Sequence, residues 1–292
     1  MGLRHLSLRT LALIFLLFLV KAQADVFRTG IHTASHRSKN PVTGAPRVIW
    51  YDNKRPRGDV VLVSCDELYF IEHAVPLIAS ARESENDIHV HVVNPQESFF
   101  KVAPLVAKQV GQISVSFSYE ETNISSLDNA TYYACNRFMI AEQILNKAER
   151  ILILDADLLI LSHLDFPPEK SLGLFTRESA EGTSGWVKEG TKLLAGIVFL
   201  TKDTSGFIRG VNNRITAYGL RWYVDQVSLH EQYVEDGWDH SDRFYEFNRD
   251  ESKWFDWEFK PDSKIWVGKG ERKYTNAAYV AKKKFFQKMI EI

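Results

Sequence analysis

The sequence predicts an α/β fold: a mixed, mostly parallel sheet flanked by helices, in a single domain. Three observations lead there. Short continuous apolar runs at 60–64 and 151–154 have the pattern of strands buried on both faces rather than one, and 88–93 reads as a further strand. Segments with helical spacing of apolar residues lie between them and give a β-α-β order. The composition, 45% hydrophobic and 25% charged over 292 residues, is that of a folded chain with enough apolar surface for a substantial core.

The chain opens with Arg4 and Arg9 before an uncharged run at 10–20, followed by Lys21 and Ala22-Gln23-Ala24, which look like the three regions of a signal peptide. The run is shorter than the roughly 20 apolar residues a membrane span needs. Residues 1–24 therefore read as a cleaved leader or a short signal anchor, and basic residues on both sides leave the orientation open. Residues 25–57 carry Pro41, Gly44, Pro46 and Pro56 without sustained periodicity and read as a linker or extended arm. The folded domain, 58–292, begins with the strand at 60–64, which ends in Cys65-Asp66-Glu67. A helix over 69–82, a strand over 88–93, a helix over 99–110 and a strand over 113–117 are expected next. Apolar residues at Phe138, Ile140, Ala141, Ile144 and Leu145 make 131–150 read as one amphipathic helix that feeds the strand at 151–154. Beyond it lie a loop from Gly185 into a strand at 197–200 and a helix over 204–219. The irregular stretch at 237–264, rich in Trp, Phe and Asp, reads as core packing or as an aromatic wall or lid on the acceptor side.

Charge and cysteine content narrow the function. A formal net charge of -1 gives no electrostatic footprint for nucleic acid, and Lys282-Lys283-Lys284 reads as a solvated helix face. Cys65 and Cys135 have neither disulfide-framework nor zinc-site spacing and are expected as buried thiols. The chemistry concentrates at Asp155 and Asp157. Two carboxylates directly after a buried strand repel each other and resist desolvation, so they require a cation or strong donors nearby. Ligands in open α/β sheets bind at the carboxyl ends of strands, which is where this pair stands. Mn²⁺ or Mg²⁺ prefers oxygen ligands and commonly combines one or two carboxylates with substrate phosphate oxygens.

The run 150–160, Arg-Ile-Leu-Ile-Leu-Asp-Ala-Asp-Leu-Leu-Ile, resembles the "K-V-I-Y-L-D-A-D-x-L-V" signature of the GT-A-fold glycosyltransferases, especially glycosyltransferase family 8. Other segments fall in the family's order. The resemblance implies a GT-A, Rossmann-like catalytic domain with Asp155 and Asp157 as metal ligands. Val61 to Tyr69 is similar to the family's first strand and its "A-D-D-N-Y" turn, which implies that Asp66 and Tyr69 contact the uracil or ribose; Leu68 stands where the family has Asn. Tyr132 to Arg137 resembles the "Y-x-R" element, which puts Arg137 near the donor phosphates or sugar, a role suited to a bidentate guanidinium. A surface arginine in a helix salt bridge is the plainer alternative. Leu193 to Leu200 resembles "F-N-A-G-V-L-L-I", with Ala195 and Gly196 allowing close approach to the donor sugar and Leu194 in place of Asn. Asp225-Gln226 matches the "D-Q" step beside the anomeric carbon, the alternative being a helix N-cap. Val267 to Lys273 resembles "H-x-x-G-x-x-K", which puts Gly270 and Lys273 against the diphosphate, with Val267 in place of the metal-binding His.

The function this implies is transfer of a sugar from a nucleotide diphosphate donor, a UDP-sugar, to a hydroxyl of a glycan, lipid-linked or protein acceptor, with Mn²⁺ or Mg²⁺ and with retention of configuration. Two alternatives stay open. An inverting GT-A transferase needs a general base, for which Asp239 and Asp242 are candidates. A nucleotide- or glycan-binding pseudoenzyme is motivated by Val267, Leu68 and Leu194. A nucleotidyltransferase is disfavoured, because no Gly-rich phosphate loop with a following Lys is apparent. Nucleotide sugars reach secretory compartments only by import, so membrane attachment or a secretory-pathway lumen is expected, or the cytoplasm if the start is misassigned.

Overall fold

Along β2 (Asp59–Asp66), alternate side chains leave the sheet on opposite faces, and both sets are apolar. Val61, Val63 and Cys65 enter one core while Val60 and Leu62 enter another, which is why the strand reads as an unbroken apolar run. The computed structural model describes residues 46–124, 128–179, 181–248 and 254–290. The expected leader, 1–24, and residues 25–45 of the expected arm lie outside the described residues.

The arm nevertheless joins the fold before Gly58. β1 (Ile49–Trp50) pairs antiparallel with the strand at Val115–Glu120, and Tyr51 packs edge-on against Phe99 at 5.9 Å, so apolar residues at 49–51 override the turn-rich composition around them. β2 leads into a helical turn, Glu67–Tyr69, a wide turn over Phe70–Ala74, and α1 (Val75–Glu83). The single helix expected over 69–82 is thus interrupted by one wide turn, a distortion often found beside functional residues. Next come β3 (Ile88–Val93), α2 (Glu97–Gln109) and β4 (Val115–Glu120), the last starting two residues later than the sequence predicts because Val115 pairs with Ile88. The helix expected over 131–150 is two shorter ones, α3 (Asn129–Met139) and α4 (Ala141–Leu145), broken at Ile140 and stopped before the turn-favouring Asn146.

β5 (Arg150–Leu154) and the short β6 (Leu158–Ile160) bracket the acidic pair. After β7 (Leu172–Thr176), the segment expected as a loop at Gly185 forms α5 (Gly185–Gly190), anchored where the Trp186 Nε1–H donates to the Trp222 carbonyl at 2.8 Å. β8 (Leu193–Thr201) is longer than expected; α6 (Ser205–Tyr218) and α7 (Val224–Glu235) follow. The described residues of the irregular stretch hold two short strands, β9 (Phe244–Glu246) and β10 (Phe255–Asp256), and β11 (Ile265–Val267) follows directly, before α8 (Arg272–Thr275) and α9 (Ala277–Lys288).

Among the described residues the main sheet has eight strands in the order β1-β4-β3-β2-β5-β8-β7-β9, and β10-β11-β6 form a smaller one. Strands β4, β3, β2 and β5 run parallel, while β8 is antiparallel to both β5 and β7, so the mixed α/β architecture expected from the sequence is present. Helices α1, α2 and α9 cover one face and α3, α4, α6 and α7 the other. Each fully buried Leu, Ile or Phe contributes on the order of 1.5–3 kcal/mol. Both cysteines are buried free thiols, as expected.

Candidate functional site

The parallel strands end on one side, and β8, being antiparallel, brings its first half to the same side. Asp66 closes β2: its Oδ1 accepts the Tyr69 N–H at 2.7 Å, capping the turn that follows. Burial raises the Asp66 carboxyl above its ordinary value, against the opposing pull of the Tyr69 and Leu68 N–H groups. Leu68, in place of the family Asn, is 65% exposed and makes no core contact that would replace a polar role.

Asp155 follows β5 directly and faces β8, where its N–H donates to the Gly196 carbonyl at 3.3 Å. A Cβ at Gly196 would lie 2.5 Å from Asp155 Oδ2, so the glycine makes room for the carboxylate itself. Ala195 and Gly196 occupy an irregularity of β8: its partner β7 passes directly from a pairing with Val198 to one with Leu194. Such bulges re-aim side chains beside functional sites. Asp157 is fixed by its backbone, whose carbonyl accepts the Gly268 N–H at 3.0 Å and the Tyr279 hydroxyl at 2.9 Å. A Cβ at Gly268 would collide with the Tyr279 ring at 2.5 Å, so that close approach also demands glycine.

Two cations tie the carboxylates together. Arg137, buried on α3, donates from Nη1 to Asp155 Oδ1 and from Nη2 to Asp225 Oδ2 at 3.2 Å, so that one planar fork spans two acids from different elements. The plainer alternative, a surface helix salt bridge, is overturned by this burial. Lys273 donates to Asp157 Oδ2 at 2.8 Å and to the Tyr69 hydroxyl at 2.6 Å. Burial works against the Lys273 ammonium, yet Asp157 and Tyr69 outweigh it and hold its pKa above the ordinary lysine value. Burial raises Asp157 above the usual carboxylate range, with Lys273 opposing and Asp155 adding to the rise. Asp225 is likewise raised by burial, with Arg137 opposing. Arg137 and Lys273 thus stand against three carboxyl groups, Asp155, Asp157 and Asp225.

Gln226 is buried beside Asp225 in the first turn of α7, which begins after Tyr223 in a left-handed conformation (φ 70°). Gly270 also has positive φ (69°), which lets the loop over 268–271 turn sharply and set Lys273 facing inward. Asp66, Tyr69, Arg137, Asp155, Asp157, Ala195, Gly196, Asp225 and Lys273 thus gather about the ends of β2, β5 and β8. Asp239 and Asp242 do not join them: both are exposed, with contacts to His240 and, through a backbone carbonyl, to Lys170. The sequence reading missed the Tyr279 and Gly268 support of Asp157, for which Asn276, an N-cap for α9, is the one local signal.

Val267, where the resemblance expects a metal-binding His, is buried in β11 and 1% exposed. Among the described residues, no group of three or more His, Cys, Asp and Glu side chains is placed to hold a metal ion. The donor set is two carboxylates, each with lone pairs beyond those used by Arg137 or Lys273. It fits a hard cation shared with phosphate oxygens and does not fit an all-protein cage. Among the described residues, no helix is long and apolar enough to cross a membrane.

No protein-family model and no curated protein sequence matches the chain. Among solved structures it is similar to the apo structure of the bifunctional glycosyltransferase WbbM, with a TM-score of 0.51 and 14% identity over 80% of this chain and 47% of that one. The chain thus spans about half the length of that structure. It is also similar to the galactosyltransferase LgtC in complex with donor and acceptor sugar analogs, with a TM-score of 0.49 and 14% identity over 79% of this chain and 95% of that one. For the glycosyltransferase GlyE of Streptococcus pneumoniae TIGR4 the TM-score is 0.43 at 14% identity, over 66% and 45% of the two chains. The likeness to WbbM shows that the chain has a glycosyltransferase fold.

Proposed function

We propose that the cluster at the ends of β2, β5 and β8 transfers a sugar from a UDP-sugar to an acceptor hydroxyl with retention of configuration. The observation that carries this reading is the arrangement of Arg137 and Lys273, buried cations that each hold one member of the acidic pair and reach a further group, Asp225 or Tyr69. Buried charges kept at a strand end, in a glycosyltransferase fold, mark a site built for a charged substrate.

In this reading Asp66 and Tyr69 bind the uridine, while Lys273 and Arg137 face the diphosphate and the donor sugar. Asp155 and Asp157 would hold Mn²⁺ or Mg²⁺ together with the diphosphate, where the ion neutralises charge on the leaving group. The acceptor oxygen bonds to the anomeric carbon as the bond from that carbon to the phosphate oxygen breaks. The electron pair of the broken bond leaves on the diphosphate, whose oxygen takes the acceptor proton. Asp225, held by Arg137, would stabilise positive charge on the anomeric carbon, and the two cations would stabilise the departing diphosphate by prearranged charge. Retention is what the family resemblance implies, and the anomeric configuration of the product decides between it and inversion.

The test is UDP release from a panel of UDP-sugars with Mn²⁺, Mg²⁺ or EDTA. Release from one donor, lost in EDTA, is the expected result. Buried Val267 favours a second reading, a nucleotide- or glycan-binding protein without turnover. UDP binding with no release from any donor would establish that reading instead.

A further inference from the structure

Beside the acidic pair lies an open cavity of about 530 Å³, lined by Trp257, Lys269, Glu271, Arg272 and Thr275. That volume accommodates one or two sugar rings. Its aromatic wall is built rather than incidental. Trp257 is half-buried and meets Phe175 and Phe255 edge-on, with ring centroids 5.7 Å and 5.3 Å away. Phe255 in turn lies 3.7 Å from where a Gly196 Cβ would stand, and that same position abuts Asp155. Ring contacts therefore link Trp257 through Phe255 to the neighbourhood of Asp155. The rest of the lining, Lys269, Glu271, Arg272 and Thr275, comes from the loop that carries Gly270 and the helical turn after it, and Lys269 is near enough to Asp225 for its charge to oppose the rise in that carboxyl's pKa.

The cations of this cavity differ from those of the cluster. Arg137 and Lys273 are buried and paired with carboxylates, whereas Lys269 and Arg272 are exposed and form no ion pair among the described residues. Two unpaired cations beside a half-buried indole offer a sugar ring an apolar platform and its substituent a charge partner.

On the transferase reading above, we infer that this cavity is the acceptor site and that the acceptor is a saccharide bearing an anionic group, carboxylate or phosphate, held by Lys269 and Arg272 over Trp257. The inference rests on that reading for the word acceptor alone; binding of the anionic saccharide stands separately.

The experiment titrates the full chain, in the presence of UDP, with three probes: lactose, a glucuronic-acid-containing disaccharide and a phosphorylated disaccharide. One or both anionic probes should bind at least tenfold more tightly than lactose, with an affinity that weakens as salt is added. The paired substitution Lys269→Ala/Arg272→Ala should abolish that preference while UDP affinity stays within threefold. Carboxylate preference over phosphate, or the reverse, identifies the substituent. Equal binding of all three probes, or a preference that survives the paired substitution, would overturn the inference. In a second assay the preferred probe is added to the protein with each UDP-sugar of the panel, and probe-stimulated UDP release supports both readings. Probe binding with no release from any UDP-sugar leaves the anionic site standing and removes the transferase reading, so the two failures are distinguishable.

Discussion

The charged cluster at the carboxyl end of β5 is partly open to solvent, the polar face shared by β3 and β4 is fully buried, and the two treat charge in opposite ways. On β3 and β4, His89 contacts Ser116 and Ser118 at 2.8 Å each, and His91 contacts Ser118 at 2.8 Å. Burial pushes both imidazoles down to about 3, so they are neutral at physiological pH. Glu120 next to them accepts from Tyr132 at 2.7 Å and from Asn136 at 2.6 Å, and burial raises its carboxyl to about 7. The imidazoles of that network shed their charge, and the Glu120 carboxyl is about half protonated at neutral pH. The cluster keeps three acids and two cations in alternation, at a desolvation cost of several kcal/mol per ion that neutral or apolar residues would avoid. The difference teaches that buried polarity alone does not mark function, and the proposed site rests instead on acids and cations gathered beside a cleft.

The largest test of this contrast is Asp155→Ala/Asp157→Ala, which should lower UDP-sugar turnover by roughly 1,000-fold or more in a protein that still folds but melts below wild type, because buried Lys273 loses its carboxylate partner. Near-normal turnover would remove the cluster's claim to function. Arg137→Met should cost about 3–5 kcal/mol at neutral pH, since it leaves Asp155 and Asp225 facing each other unpaired. Denaturant melts should show that loss shrinking as pH falls and the carboxylates protonate.

On the neutral side, Glu120 has a folded pKa of about 7 against an ordinary 4.5. An acid raised on folding contributes stability below its unfolded value and loses that contribution as pH rises through the folded one. Wild-type stability should therefore decline between about pH 4.5 and 7, by up to about 3 kcal/mol, and Glu120→Gln should flatten the decline. Turnover of that variant should stay within threefold, and a large loss would mean that the two regions are coupled. The smallest effect belongs to Val267→His, which should tighten Mn²⁺ binding in the absence of UDP by about tenfold, measured by calorimetry, if its imidazole completes the donor set.

How much of this was legible in the sequence follows from how local each feature is. Asp155 and Asp157 could be read because strand, dyad and position lie within a dozen residues. Their ion pairs could not: Arg137 meets Asp225 across 88 residues, and Lys273 meets Asp157 across 116. Strand direction was equally hidden, because a continuous apolar run signals burial on both faces and says nothing of orientation, so the antiparallel β8 was not foreseen. The run Ile88-His89-Val90-His91 alternates like a half-exposed strand, yet both imidazoles are buried, because Ser116 and Ser118 arrive opposite them from a strand 27 residues away. The helix over 131–150 failed at Ile140, where the apolar pattern continues although the backbone turns.

The central claim is that the charged cluster is a nucleotide-sugar site, and calorimetric titration of UDP into wild type and Asp155→Asn/Asp157→Asn, with Mn²⁺ present, tests it most directly. Wild type should bind UDP and the variant should bind at least tenfold more weakly while melting within a few degrees of wild type. Equal affinity in the two proteins would contradict the account.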